Sequence, residues 1–312
     1  MGTQKVALVV GASRGIGRQI AIDLAKNGYA ASTITTVARE IRESGGEATA
    51  IPVDVRDLAS IEALVARTLQ VYGRLDALVY NAGAVWWASV EDTPVKRFRL
   101  MQQVNVEGLY GAVQAALPPL KKNGAEGGGR GRIVVVSPPI YSRFFRGKTG
   151  YAMGKVGMSV LTTGLAMDFE RQGLKNMAIT SLWPAVVNVI LTNKYKNQAI
   201  ESAATQKLQQ TDPATARDLR KPTIFSDAVL AVLRAPAASV NGILALDEDF
   251  LRSELGGSVM DFSQYALVPG TSPRRIMPKQ LPDLMVEEQD DEGTRINSAA
   301  PTATAAKMKA KL

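Results

Sequence analysis

The chain has 312 residues, 46% of them hydrophobic, enough for one large α/β domain or two smaller ones with a substantial core. It contains no histidine and no cysteine, which excludes thiolate nucleophiles, His-based triads, disulfides and ordinary zinc sites, so no metal site is expected. The formal charge of +8 comes from Lys and Arg interleaved with acids, which reads as a solvated surface and not as a nucleic-acid face.

Lys5 to Val10 is a β-branched apolar run that predicts a strand buried on both faces. It leads into Gly11-Ala12-Ser13-Arg14-Gly15-Ile16-Gly17, then a helical pattern through Ile20, Leu24 and Ala25 that ends near Asn27-Gly28. Strand, glycine-rich turn and helix in this order aim backbone N–H groups and a positive helix end at a pyrophosphate. The alternative is a tight turn with no ligand. Residues 30 to 35 predict a meagre strand with no acid or basic fork at its end, so the element that reads an adenosine ribose is missing or degraded.

A helix follows from Val37 to Ser44, stopped by Gly45-Gly46. Ala48 to Val53 predicts a strand ending in Asp54-Val55, then a helix from about Ser60, capped by Ser60 or Asp57, to Tyr72-Gly73. Leu75 to Tyr80 is the next strand, closing on Asn81-Ala82-Gly83. Thr93-Pro94 predicts a long helix, with Thr as cap and Pro first, that carries Asn105 and stops at Pro118-Pro119. Residues 123 to 131 read as a flexible loop, and Arg132 to Val136 as a buried strand ending in Ser137-Pro138-Pro139.

Tyr151 and Lys155 are four residues apart, so on a helix they share a face. An ammonium beside a phenol favours the phenolate, which makes a general acid/base without histidine. Asp227 to Leu233 predicts a helix and Gly242 to Leu246 the last strand. The alternation of strands and helices predicts a doubly wound parallel sheet of Rossmann type, α/β, as one domain over residues 1–265. Residues 266–312 read as a flexible, disordered tail, with the acidic run Glu287 to Glu292 and an Ala/Thr-rich tract. Its end, Ala310-Lys311-Leu312, is a close variant of the Ser-Lys-Leu peroxisomal address, so a peroxisomal import receptor is an expected partner and the peroxisome the expected location, with the cytoplasm as alternative. No apolar run reaches the roughly 18 residues of a membrane span, and the amino terminus runs almost directly into a strand pattern without a signal peptide.

Gly11-Ala12-Ser13-Arg14-Gly15-Ile16-Gly17, Asp54-Val55, Asn81-Ala82-Gly83, Asn105, Ser137 and Tyr151-x-x-x-Lys155, in that order, resemble the short-chain dehydrogenase/reductase family from about residue 5 to 250. Within it, Ser137-Pro138-Pro139, Leu182-Trp183-Pro184-Ala185 and Ile200 to Ala204 are similar to a branch of hydroxysteroid dehydrogenase-like proteins and their fungal relatives. The resemblance implies an NAD(P)-dependent oxidoreductase acting on an alcohol or carbonyl, with Tyr151 passing the proton and Lys155 lowering its pKa and holding the nicotinamide ribose. It implies that Asn105 anchors a relay water, that Asp54 and Val55 meet the adenine, and that Asn81, Ala82, Gly83 and Pro184 flank the cofactor. Arg14 before Gly15 suits the 2′-phosphate of NADP, NAD remaining possible; the alternative is a solvated helix-start residue.

The chain departs from the family in three places. The usual serine position holds Pro138, with Ser137 as substitute, either a structural cap or a donor to the substrate oxygen. The region near residue 30 is shortened, and residues 187–198 read as an insertion, as splicing or an imperfect gene model produces. A lipid-like substrate is expected, with Trp86, Trp87, Phe144 and Phe145 as pocket walls or else core or subunit contacts. A homo-oligomer is compatible with this reading. The rival is a catalytically silent nucleotide-binding or scaffold protein on the same fold.

Overall fold

The structure is a computed structural model that describes residues 4–33, 35–125, 130–185, 217, 219–254, 262–273, 277–278 and 280–284. Seven parallel strands form one sheet, β1 (Lys5–Val10), β2 (Tyr29–Thr33), β3 (Ala48–Ala50), β4 (Ala77–Tyr80), β5 (Gly131–Val136), β6 (Met177–Trp183) and β7 (Leu244–Leu246), in the order β3-β2-β1-β4-β5-β6-β7. The order reverses between β1 and β4, and ligands of such sheets bind in the crevice this reversal opens at the strands' carboxyl ends. Each strand's pleat supplies two cores. Ala7 and Val9 of β1, Val79 of β4 and Val134 and Val136 of β5 face one, while Val6, Leu8 and Val10, Leu78 and Tyr80, and Ile133 and Val135 face the other.

On the first face lie α1 (Gly15–Lys26) and α2 (Thr35–Glu43), through Ile20, Leu24, Val37 and Ile41, and α7 (Thr223–Arg234) through Phe225 and Val229. On the second lie α3 (Leu58–Tyr72), α5 (Gly108–Ala125) and α6 (Thr149–Arg171), through Ile61, Leu64, Leu109, Val113, Met158 and Phe169. The short second strand is real: it pairs with β1 from Tyr29 to Ser32 and with β3 from Ala31 to Thr33. Asp57 caps α3, its carboxylate accepting the Ala59 N–H at 3.1 Å, while Ser60 Oγ accepts the Asp54 N–H and ties down the end of β3.

Two helix boundaries differ from the sequence expectation. Pro94 is the cap residue of α4 (Val95–Gln102) rather than its first helical residue, and the Thr93 hydroxyl donates backwards to the Ser89 carbonyl at 2.6 Å. Beyond α4 the helix widens into a single π turn, Gln103–Glu107, before α5. The Tyr80 hydroxyl donates to the Val104 carbonyl in that turn at 2.6 Å. The prolines at 118 and 119 do not stop α5, which continues to Ala125. Tertiary contacts outweigh the two missing donors: Leu120 is fully buried and Asn123 donates to the Leu75 carbonyl. Asn123 and Gly124, expected in a loop, are therefore helical, and residues 126–129 lie outside the described part.

Past residue 265 the chain still packs on the domain. Ala266 forms an antiparallel bridge with Arg220, and Met277 is buried, with its sulfur 3.8 Å from the Tyr141 hydroxyl. Residues 187–198, Ile200 to Ala204 and the carboxyl-terminal tripeptide lie outside the described residues. No described helix is long and apolar enough to cross a membrane.

Candidate functional site

The crevice between β1 and β4 is shaped by two glycines. Gly11 has a φ of 86°, and a Cβ there would lie 2.6 Å from the Ala82 nitrogen. A Cβ on Gly17 would lie 2.3 Å from the Gly11 oxygen and 2.5 Å from Asn81 Nδ2. Asn81 clamps this turn, its side chain donating to the Gly11 carbonyl and its backbone N–H to the Val10 carbonyl, both at 2.9 Å. Arg14 is the cap residue of α1 in extended backbone and makes no side-chain cap bond. Among the described residues the first N–H groups of α1 therefore have no side-chain acceptor, the arrangement that takes a phosphate. Ser13 and Arg14 are exposed, and Gly15 and Ile16 are half-buried beside them.

Asp54 stands exposed at the far rim beyond β3, where the Arg56 guanidinium holds its carboxyl down to about 2 by hydrogen bonding. Val55 is half-buried, and its carbonyl lies so near Gly108 that a Cβ there would approach to 2.7 Å. The end of β2 carries no charged side chain.

At the other end of the crevice, the π turn presents Asn105 fully buried. Its Oδ1 accepts the Ala84 N–H at 2.8 Å and its Nδ2 donates to the Ala84 carbonyl at 3.1 Å. The loop that runs from Asn81 to Ala84 is thereby pinned against the π turn. A Cβ on Gly83 would lie 3.4 Å from Lys155 Nζ and 3.5 Å from Asn105 Oδ1. Tyr151 and Lys155 occupy the first two turns of α6, both buried.

Trp87 meets the Tyr151 ring edge-on at 6.1 Å and Phe144 lies tilted against it at 6.2 Å. Lys155 donates from Nζ to the Val136 carbonyl at 2.8 Å and sits 5.6 Å above the Trp183 ring. Of the four aromatics expected as walls, Trp87 and Phe144 touch Tyr151. Trp86 is more exposed, with Arg97 stacked on it at 4.8 Å, and Phe145 packs on the core.

Burial governs the charges of the pair. It pushes the Tyr151 hydroxyl far above its ordinary value and Lys155 down to about 7. The expected lowering of the tyrosine by the lysine is thus absent in the described arrangement, because desolvation of each group exceeds their mutual effect. Among the described residues the Tyr151 hydroxyl has no hydrogen-bond partner.

Ser137 is fully buried, and its hydroxyl lies 2.8 Å from Ser181 Oγ. Ser181 donates to the Ser137 carbonyl at 2.6 Å, so with that bond made the Ser137 proton goes to Ser181. The sequence left open a structural cap or a donor to the substrate oxygen, and here the hydroxyl is engaged by Ser181. Pro138, at the usual serine position, offers only its carbonyl, which accepts from Ser159 at 2.6 Å.

Four groups had no clear sequence signal. Trp183, at the end of β6, roofs Lys155 and meets Phe144 edge-on at 5.6 Å. Asp247, fully buried, accepts the Ala185 N–H at 2.8 Å and the Glu248 N–H at 2.7 Å, so it fixes the chain just after half-buried Pro184. Burial raises its carboxyl to about 7. Beside it, buried Arg220 pairs with Glu248 at 2.7 Å and donates to the Pro273 carbonyl at 3.3 Å, which holds the later segment on the domain. Lys148, before the first turn of α6, rests on the rings that flank Tyr151. Among the described residues no group of three or more His, Cys, Asp or Glu side chains is placed to hold a metal ion.

The family described as short chain dehydrogenase matches residues 5–200. Hydroxysteroid dehydrogenase-like protein 2 of Mus musculus is 32% identical over 319 residues, covering 96% of this chain and 58% of that protein. Its Homo sapiens counterpart is 34% identical over 278 residues, 84% of this chain and 60% of that protein. The chain therefore spans about three fifths of the length of these curated relatives. A short chain dehydrogenase of Mycobacterium thermoresistibile superposes with a TM-score of 0.72 at 34% identity, over 86% of this chain and 92% of its own. A 7α-hydroxysteroid dehydrogenase complexed with NADH and 7-oxo glycochenodeoxycholic acid superposes at 0.62 with 26% identity, over 78% and 92%.

The depressed Lys155 has a thermodynamic consequence. Its folded value of about 7 lies below the ordinary lysine value near 10.4, so between these pH values the unfolded chain binds the extra proton. Its contribution therefore makes stability rise with pH through that window. Urea midpoints measured from pH 7 upward should climb less steeply in Lys155→Met than in the parent chain, and equal slopes would refute the assignment.

Proposed function

Because the chain belongs to the short-chain dehydrogenase family, we propose that it is a nicotinamide-dependent oxidoreductase that interconverts an alcohol and a carbonyl. The observation that carries this reading is the convergence of Tyr151, Lys155, Asn105 and Gly83 at the carboxyl edge of β4 and β5, beside the uncapped amino end of α1. The fold implies a nicotinamide dinucleotide, and the residues present fit one. The close-packed Gly11/Gly17 turn and free N–H groups of α1 suit its diphosphate, and Gly83 leaves Lys155 open to a ribose. When bound, the nicotinamide supplies or takes the hydride.

Tyr151 gives or takes the proton of the substrate oxygen. Lys155 orients the ribose and, once acceptors surround it and it holds its proton, favours the phenolate. Asn105 keeps the loop Asn81 to Ala84 closed on both and anchors the relay water. Arg14, exposed at the cap of α1, favours NADP. The aromatic walls Trp87, Phe144 and Trp183 favour a lipid-like body.

Two further parts of the proposal concern location and assembly. Ala310-Lys311-Leu312 directs the chain to peroxisomes. The exposed Met153, Val160 and Met167, at heptad spacing on α6, form an apolar stripe suited to a homo-oligomer. The silent-protein alternative is favoured by one observation, the commitment of Ser137 to Ser181.

Titration with NADPH and NADH, followed by tryptophan fluorescence, should show tighter NADPH binding. Arg14→Ala should weaken NADPH about tenfold, the scale of one charge-assisted contact, while sparing NADH. Binding of neither nucleotide would end the enzyme reading. Tyr151→Phe should keep binding and lower turnover of medium-chain ketones by about 10²-fold or more; binding without turnover in the parent chain would favour the silent protein. Residues 301–312 fused to a fluorescent reporter should give puncta that coincide with a peroxisomal marker, and diffuse signal would overturn the address. Light scattering should report a mass above one chain that falls in Val160→Asp; a monomeric parent would remove the assembly.

A further inference from the structure

We propose that Lys148 is the anion anchor of the substrate site, so that the substrate is an alcohol or carbonyl with an apolar body and a carboxylate or similar acidic head. This deepens the oxidoreductase reading and rests on it for the reacting group, though not for the anion. The Lys148 ammonium lies 4.2 Å from the centroid of Phe144 and 5.6 Å from that of Trp87. Those are the two rings that flank Tyr151, at 6.2 and 6.1 Å. The cation is half-buried and stacked on the rings that form the wall of the site.

What it lacks is an acceptor. Among the described residues its ammonium makes neither a hydrogen bond nor an ion pair, and ring faces alone offset only part of the cost of removing it from water. Burial is the one influence on its titration, lowering it to about 8, with no carboxylate contributing. The Trp87 indole N–H beside it is also buried without a partner among the described residues. Buried donors are nearly always satisfied, so the unpaired Trp87 N–H, with the half-buried Lys148 ammonium beside it, marks the place of an acceptor-rich group.

The local sequence agrees. Residues 142–148, Ser-Arg-Phe-Phe-Arg-Gly-Lys, hold three cations and no acid. A neutral ligand would leave Lys148 desolvated and uncompensated, whereas a carboxylate gives it a charge-assisted bond in a low-dielectric setting.

The test compares decanoate with decanol, which share one chain length and differ in head charge. Both are titrated against the whole chain, free and saturated with NADPH, by the fluorescence of its three tryptophans. Decanoate should bind about tenfold more tightly at low salt and lose that margin at high salt. Lys148→Met should bring the two ligands together, while Lys148→Arg should keep the preference. Equal affinities in the parent chain, or a decanoate preference that survives in Lys148→Met, would overturn the anchor. The salt series on the parent chain decides the matter even if a variant fails to fold. If the decanoate preference holds but medium-chain ketones and oxo acids are not reduced with NADPH, the oxidoreductase reading falls and the anion site stands. Reduction of 2-decanone and 9-oxodecanoate with equal kcat/KM would sink the anchor alone.

Discussion

The two hydrogen bonds between Asn105 and the backbone of Ala84 are the constraint on which the site depends. They join the loop after β4 to a π turn whose extra residue aims the amide inward, and that turn is held by the Tyr80 hydroxyl on the Val104 carbonyl. One absent side chain eases the fit: a Cβ on Gly154 would lie 3.3 Å from Asn105 Nδ2. The loop after β4 and the π turn are thus joined, α6 packs on that turn where Gly154 meets Asn105, and the turn before α1 is tied to the loop through Asn81 and Gly11.

Electrostatics inside that body favour neutral side chains. Desolvation raises the phenol and lowers the amine, so the described arrangement holds Tyr151 protonated and leaves Lys155 close to half-charged at neutral pH. A pair in this condition is a weak acid beside a weak base. In the proposed reaction, acceptors and negative charge offered to Lys155 raise the amine and so lower the phenol. The same burial that penalises each charge strengthens every interaction made with it.

The parts of this design that were legible in the sequence are those set by local backbone rules. The run Lys5 to Val10, the turn at Gly11 and Gly17, the caps near Asp57 and Gly73, and the i, i+4 relation of Tyr151 to Lys155 each follow from strand pattern, positive φ or helical spacing. The illegible parts depend on tertiary contact. Pro118-Pro119 reads as a stop because the rule counts missing donors and cannot count the burial of Leu120. Trp183, Lys148 and Asp247 lie 28, 7 and 92 residues from Lys155 in sequence, and only the folded sheet shows that the first two meet the same ring, Phe144, and the third fixes Ala185. The opposed titration of the pair was invisible for the same reason, since spacing reveals proximity and says nothing of burial.

Ser137 is where the reading of the site is decided. Ser181 has one proton and two acceptors within reach, the Ser137 carbonyl at 2.6 Å and the Ser137 hydroxyl oxygen at 2.8 Å. Turning that proton onto the hydroxyl would free the proton of Ser137 for a third partner, at the cost of one hydrogen bond to the carbonyl, about 1 kcal/mol. The exchange is cheap in energy, but Ser137 has no exposed surface, so a substrate reaches it only if the neighbouring chain moves. In the proposed oxidoreductase, with Ser137 left in place, Tyr151 would still supply proton transfer, worth about 10²–10⁴-fold. What the site forgoes is a second donor to the substrate oxygen, worth about 10²–10³-fold. The loss of the usual serine therefore lowers the rate such a site can reach without removing its chemistry, and the enzyme and the silent protein differ in the size of a rate before they differ in kind.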